Sequence, residues 1–428
     1  SIVPESVVPY LKNPGMHPRS DASWFDKCVS PVVDSDHVPI CHRLLNAKMS
    51  CSVEETPMKE HFGFLSKDCT SPFMGKARQL PDGTWASPVT YRLKAMAKKR
   101  AEVNVTVMTA CVKEYVDSFE KPSIRLQPLS LVESVTGVAN NIAINAIRDD
   151  TALGFDLQFM TKQQAFFFKS GTYEVDERFW NEIQRVVDMI QDIDSPLDKL
   201  TVTAARKGEA LPRAKVELNK ARLFYVSNKA MNSAIRMFLA PIMSRTLQFP
   251  LLSGLILAFN AGGPQGKGLY KYMNRFGGQE CWDGDHSNYD LNHTHMRTFY
   301  VDFMCGLAKA WGYTPLQVKY VQRAIQLTFR YVLLLDGDFF DCGLGMNSGV
   351  YFTIHLNSVV NKLLAMYSFK LRFPMLKFND HISYAATGDD CMFARSSGLD
   401  YDGEDWREDM AVLGYPVVPA DKVSPYIV

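Results

Sequence analysis

The sequence is short of net charge. Its 428 residues carry 47 Lys and Arg against 46 Asp and Glu, a balance of +1. A whole-surface electrostatic attraction for nucleic acid or membrane is excluded, so any such footprint must be local. Cys-x-x-Cys is absent and the nine cysteines are an odd number. That argues against a disulfide scaffold and for free thiols in a reducing compartment. The opening Ser1-Ile2-Val3-Pro4-Glu5 has neither a basic nor an apolar leader segment. The longest apolar stretch, 251–259, begins after Pro250 and is too short to span a bilayer. No repeat or low-complexity tract interrupts the chain. These absences read as a soluble intracellular protein without a transmembrane segment. With 46% hydrophobic and 22% charged residues, the chain has ordinary globular composition and can bury a core of more than one subdomain.

Residues 1–90 are rich in Pro, Gly and Asp and read as extended segments. Cys28, His37, Cys41, His42, Cys51, His61 and Cys69 fall there, at spacings that match no usual zinc pattern. Helical periodicity begins at 91–119, through Leu93, Met96, Ala97, Val103, Val107, Ala110 and Val116, with Lys94, Lys98, Lys99 and Arg100 as a basic face. A second amphipathic helix is expected over 173–193, burying Phe179, Ile183, Val186, Val187 and Ile190. Further helices are expected over 230–245, with a bend at Pro241, then 293–311 and 405–413.

The stretch that organises the chain is 382–394, two short apolar runs around Gly388-Asp389-Asp390. Gly and Asp suit a tight hairpin turn, which would set two carboxylates at its tip. Such oxygens are hard ligands for Mg²⁺ or Mn²⁺, although an acidic turn can also simply face solvent. Asp336-Gly337-Asp338 between apolar runs is first of all another hairpin turn. Asp285 ends a short strand, and Asp290 follows five residues later. His293 and His295 read as a polar helix start. Gly349, Thr353 and Asn357 are spaced by four behind Ser348, so Thr353 and Asn357 share a helical face. Between Arg206 and Arg222 stand six cations against two anions, and alternation over 215–223 suggests a strand flanked by Lys215 and Lys220. That density of charge suits a triphosphate or a nucleic-acid backbone, or a solvated hairpin. Thr151 and Gly154 mark a flexible turn.

Together, and in this order, these pieces resemble the RNA-dependent RNA polymerases of positive-strand RNA viruses, the picorna-like group in particular. The family's palm motifs look like Asp285 and Asp290, then Ser348, Gly349, Thr353 and Asn357, then Gly388-Asp389-Asp390, then Ala420-Asp421-Lys422. Lys215, Lys220 and Arg222 resemble its basic fingers motif, and Thr151 and Gly154 its template loop. Thr387 stands where the family usually has Tyr before the Gly-Asp-Asp, keeping a hydroxyl and losing an aromatic ring.

The resemblance implies an α+β right-hand polymerase whose antiparallel palm sheet packs on helices. Residues 1–240 would be fingers, 241–323 the first part of the palm, 324–346 a fingers insertion and 347–428 the second part of the palm. The family's thumb would be absent from this chain. The implied reaction is nucleotidyl transfer from ribonucleoside triphosphates to an RNA 3′-hydroxyl by two metal ions. Asp285, Asp389 and Asp390 would hold Mg²⁺, or Mn²⁺, and Lys422 would act as general acid. Lys215, Lys220 and Arg222 would bind the triphosphate. Asp290, Ser348, Thr353 and Asn357 would read the nucleotide, and Thr151, Gly154 and Gly349 would meet the template. Implied partners are the RNA template and primer, a viral protein primer and other replication proteins, in the host cytoplasm at membrane-associated replication complexes. A reverse transcriptase shares the two-carboxylate hairpin, but Asp290 and Asn357 argue for ribose recognition. An inactive RNA-binding scaffold is opposed by the intact carboxylates.

Overall fold

The computed structural model describes residues 102–419, except 142, 170–171, 219–221, 258, 261, 278–280, 336–337 and 344, together with three two-residue strands between 69 and 86. The candidate zinc ligands from Cys28 to His61, the basic face at 94–100, Lys220 and Lys422 lie outside the described residues. The main elements run α1 (Val105–Asp117), α2 (Glu177–Gln191), β1 (Leu200–Arg206), α3 (Arg213–Glu217), β2 (Leu223–Val226), α4 (Lys229–Leu247), β3 (Cys281–His286), α5 (Met296–Ala310), α6 (Pro315–Gln326), β4 (Tyr331–Leu335), β5 (Asp338–Cys342), α7 (Thr353–Arg372), β6 (Ile382–Thr387), β7 (Asp390–Arg395), α8 (Gly403–Val412) and β8 (Val417–Val418).

Capping residues decide where periodic segments become helices. The five apolar positions expected for α2 are the five it buries. The helix starts only after Asp176, whose carboxylate accepts from the Arg178 amide at 2.8 Å. The preceding Thr172–Val175 pairs instead with Phe166–Lys169 as a hairpin. Asn104 caps α1, whose buried stripe is Met108, Cys111, Val112 and Tyr115; Ala110, expected inside, is exposed. Pro241 lies within α4 as expected.

Two four-stranded sheets divide the strands. One has the order β5-β4-β1-β2, with β4 parallel to β1 and the other pairs antiparallel. The other has the order β6-β7-β3-β8 and is antiparallel throughout. Leu335 lies opposite Asp338 in the first sheet. Asp338 therefore stands in a different sheet from Asp390.

The second sheet rests on α7, which also packs against α1, α5 and α8. From His355 to Phe369 the helix is buried on nearly every side, the signature of a helix at the centre of a core. Truncating one of its leucines, such as Leu363→Ala, should cost about 2–5 kcal/mol. Among its apolar residues stand Ser358, Asn361 and Lys362, all fully buried.

The strand expected around Lys215 is a helix instead. Residues Arg213–Glu217 form the single turn α3 behind Pro212, and the next described strand is Leu223–Val226. Ala, Lys, Arg and Glu are good helix formers, and alternation over so few residues does not separate the two periods.

Candidate active site

The hairpin β6–β7 pairs Thr387 with Asp390, leaving Gly388 and Asp389 as its two-residue turn. Gly388 has φ +67°, and a Cβ there would meet nothing within 4 Å. The turn's backbone, rather than crowding, therefore selects glycine, as two-residue hairpins with Gly in the first position do. On the other side of β7, Asp390 is the register partner of Asp285 on β3. Residues directly opposite in an antiparallel pair have Cβ atoms about 4.5–5.5 Å apart, and like charges there are destabilising. The fold thus accepts a repulsive pair at one end of the sheet, with Asp389 at the adjoining tip.

Electrostatics report the same convergence. The Asp389 carboxyl is held above its ordinary value, first by the protein that crowds its base and then by Asp390, Asp285 and Asp290. Its outer side remains open to solvent. Asp290 lies on a 3₁₀ turn, Tyr289–Asn292, entered through Asn288 at φ +52°. Its carbonyl accepts from the Met346 amide at 2.8 Å, which ties the 345–349 loop to the acidic end.

Among the described residues no group of three His, Cys, Asp or Glu side chains stands in ready metal-binding geometry. The donor chemistry nevertheless fits Mg²⁺, which keeps several waters and takes one or two carboxylates together with substrate phosphates. Mutually repelling carboxylates, one of them pushed towards protonation by its surroundings, are what such a cation would relieve.

Gly154 and Gly349 come together on one stretch of backbone. A Cβ at Gly349 would stand 2.5 Å from the Tyr225 carbonyl oxygen, and one at Gly154 would stand 2.9 Å from the Ser227 carbonyl oxygen. Asn347 Nδ2 donates to Ser227 Oγ at 2.8 Å, and Asn232 Nδ2 donates to the Gly349 carbonyl at 2.9 Å. Lys229 pins the Gly154 loop from α4: its amide donates to the Leu153 carbonyl at 2.8 Å and its ammonium to the Arg148 carbonyl. Thr151 Oγ1 donates to that same Arg148 carbonyl at 3.2 Å. Thr353 Oγ1 donates to the Val350 carbonyl at 2.9 Å, closing the loop in which Ser348 is exposed. Arg222, just upstream of β2, is exposed and pairs with Glu209 at 3.3 Å; Lys215 is exposed on α3.

The family model described as viral RNA-dependent RNA polymerase matches residues 90–427. The chain belongs to that family. Among solved structures, the Sicinivirus 3Dpol RNA-dependent RNA polymerase is similar to it with a TM-score of 0.71 at 17% identity, covering 91% of this chain and 78% of that one. No curated protein matches. The match agrees with the resemblance to a positive-strand, picornavirus-like polymerase.

Sequence reasoning passed over several residues that the polymerase fold brings to the acidic end. His293 is buried, with Nε2 3.1 Å from Asn357 Oδ1 and Nδ1 3.3 Å from the Tyr415 hydroxyl. Burial pushes it down to about 3 despite the nearby Asp290 charge, so it is neutral. Asn357 therefore meets His293, and Asp290 acts on the same ring electrostatically. Ser358 and Asn361 reach the Asp389 turn itself: the Gly388 amide donates to Ser358 Oγ at 2.8 Å, and Asn361 Nδ2 lies 3.2 and 3.1 Å from the Gly388 and Asp389 carbonyls. Thr387, in place of the family's Tyr, donates to the Ile256 carbonyl at 3.3 Å. The available signal was Asn-Ser-x-x-Asn inside an otherwise apolar helix, where each amide needs a partner.

Proposed function

We propose that this polymerase joins ribonucleotides to an RNA 3′-hydroxyl at Asp285, Asp389 and Asp390, with Mg²⁺ or Mn²⁺ held by these carboxylates. The observation that carries the reading is the register of Asp285 opposite Asp390, beside Asp389 at the turn. Bound there, the ions supply acidity to the attacking hydroxyl and offset the leaving group's charge. The chain's own residues do the rest. The sheet end holds the carboxylates in place. Lys215, Lys220 and Arg222 neutralise the triphosphate, and breaking the exposed Arg222–Glu209 pair costs little. Asp290, Ser348, Thr353 and Asn357 receive the ribose and base. Thr151, Gly154 and Gly349 guide the template, and Lys422 gives a proton to the departing pyrophosphate.

In this reading β6-β7-β3-β8 is the palm sheet and β5-β4-β1-β2 lies in the fingers, with boundaries at 240, 323 and 346. Work on genome replication would bring a viral protein primer and other replication proteins to the chain, at membrane-associated complexes in the host cytoplasm. Among the described residues no helix is long and apolar enough to cross a membrane.

The test is primer extension on an RNA template with Mg²⁺. Asp389→Asn should abolish most synthesis while RNA affinity, which rests on distributed phosphate contacts, stays within about twofold. Full turnover by Asp389→Asn would refute the assignment.

A further inference from the structure

The turn that bears Asp389 has no side-chain packing on its outer face. Nothing would touch a Cβ on Gly388, and Asp389 and Asp390 face outward. Its peptide groups are held from beneath. The Gly388 amide donates to Ser358 Oγ, while the two Nδ2 hydrogens of Asn361 have two acceptors, the carbonyls of Gly388 and Asp389. Ser358 Oγ in turn donates to the Ile354 carbonyl at 2.8 Å, which leaves its lone pairs for the turn. Asn361 Oδ1 lies 3.3 Å from Nε2 of His286, the residue that follows Asp285 on β3. With the proton on that nitrogen, both ends of the amide are satisfied and its orientation is fixed.

We propose that Ser358, Asn361 and His286 form a positioning clamp that fixes Asp389 against Asp285 and so sets the rate of nucleotidyl transfer. The clamp runs from the strand of one carboxylate to the peptide of the other. Ser358 and Asn361 are fully buried and His286 nearly so, which keeps all three from substrate. Ser358 Oγ accepts from the turn, and the Asn361 amide is engaged by the turn and by His286 Nε2. A helix needing only core stability would carry apolar side chains at these positions, since a buried amide is costly unless bonded. Displacements of about 1 Å at a reacting group can cost on the order of 100-fold in rate, so a hairpin tip whose outer face is open to solvent gains from such anchors.

This inference rests on the polymerase reading of the acidic cluster, and Asp389→Asn is the reference that separates the two. Ser358→Ala, Ser358→Thr and Asn361→Asp are compared in primer extension, RNA binding by fluorescence anisotropy, and thermal melting. Ser358→Ala and Asn361→Asp should each lower kcat by about tenfold or more, the equivalent of a lost hydrogen bond. KM for nucleotide and Kd for RNA should stay within about threefold, because binding groups are untouched. Ser358→Thr, which keeps the hydroxyl, should recover most of kcat. Wild-type kcat in both Ser358→Ala and Asn361→Asp overturns the clamp. So does a loss of RNA affinity that parallels the loss of kcat, because the residues would then support the fold at large. If Asn361→Asp does not fold, the Ser358→Ala and Ser358→Thr pair decides alone. Should Asp389→Asn itself retain synthesis, the polymerase assignment of the cluster fails, whatever the clamp variants do.

Discussion

The two sheets treat charge in opposite ways. In β6-β7-β3-β8 the carboxylates sit on paired strands or a two-residue turn, backed by a buried helix and held through their backbone. Beside β5-β4-β1-β2, Lys215 and Arg222 sit on one-turn α3 and just before β2, exposed, with Glu209 as a surface partner for Arg222 and Lys207. Like charges are forced together in a rigid frame; opposite charges are left on adjustable side chains. The difference matches the two tasks proposed for these residues. Reacting atoms must be placed to a fraction of an ångström, whereas a flexible triphosphate needs only enough nearby positive charge.

The comparison breaks most readily at the acidic pair. Asp285→Asn should lower kcat by about 100-fold or more, against a few-fold for Lys215→Ala, because one removes a fixed group of the reaction and the other one of several mobile cations. Equal losses would erase the distinction between frame and adjustable surface.

Acid should reach the rigid side first. His286, His293 and His355 lie in or beside the acidic sheet's helical support, and burial pushes them from 6.5 to about 4, 3 and 3. A depressed folded-state value means that the neutral ring contributes its stability in full above pH 6.5 and loses it as pH falls towards the folded values. Melting between pH 7.5 and 4.5 should show a loss on the order of a few kcal/mol. An unchanged melting temperature over that range would show that these rings are not held neutral.

The proposed sugar site sharpens the comparison, because it is polar yet Asn357 stands on the same buried helix. Asn357→Ala or Asp290→Ala should lower the ribo-over-deoxy preference by about tenfold, one hydrogen bond's worth. The measurement is kcat/KM for ATP and dATP on one RNA template. A constant ratio with reduced activity would return both residues to supporting the loop.

The smallest change is expected at Arg222. Arg222→Ala should raise the apparent KM for nucleotide several-fold, while stability moves by less than about 1 kcal/mol, as for an exposed ion pair. A large drop in melting temperature would place Arg222 among structural residues instead.

Local chemistry was legible in the residues themselves, whereas the convergence of Asp285 with Asp389 and Asp390 was expected only through the family resemblance. Gly388 in a two-residue turn followed from what glycine permits, and the five buried positions of α2 followed from their period. The pairing of Asp285 with Asp390 could not follow from either, because about a hundred residues separate them and register is set by strands meeting in space. Lys215 misled because a short alternating run carries too little phase. His293 looked like a polar helix start because its partners, Asn357 and Tyr415, come from distant segments. Ser358 and Asn361 were visible as polar residues in an apolar helix, but what they bond is decided by where the hairpin lands.

Tyr225 and Ser227 present one wall to both Gly154 and Gly349. Loops that share an abutment are not independent degrees of freedom. A displacement of the Gly154 loop must be accommodated by backbone that also bounds the Gly349 loop, and the reverse holds equally. Substitutions at the two glycines should therefore be epistatic, with a combined effect that differs from the sum of the separate ones.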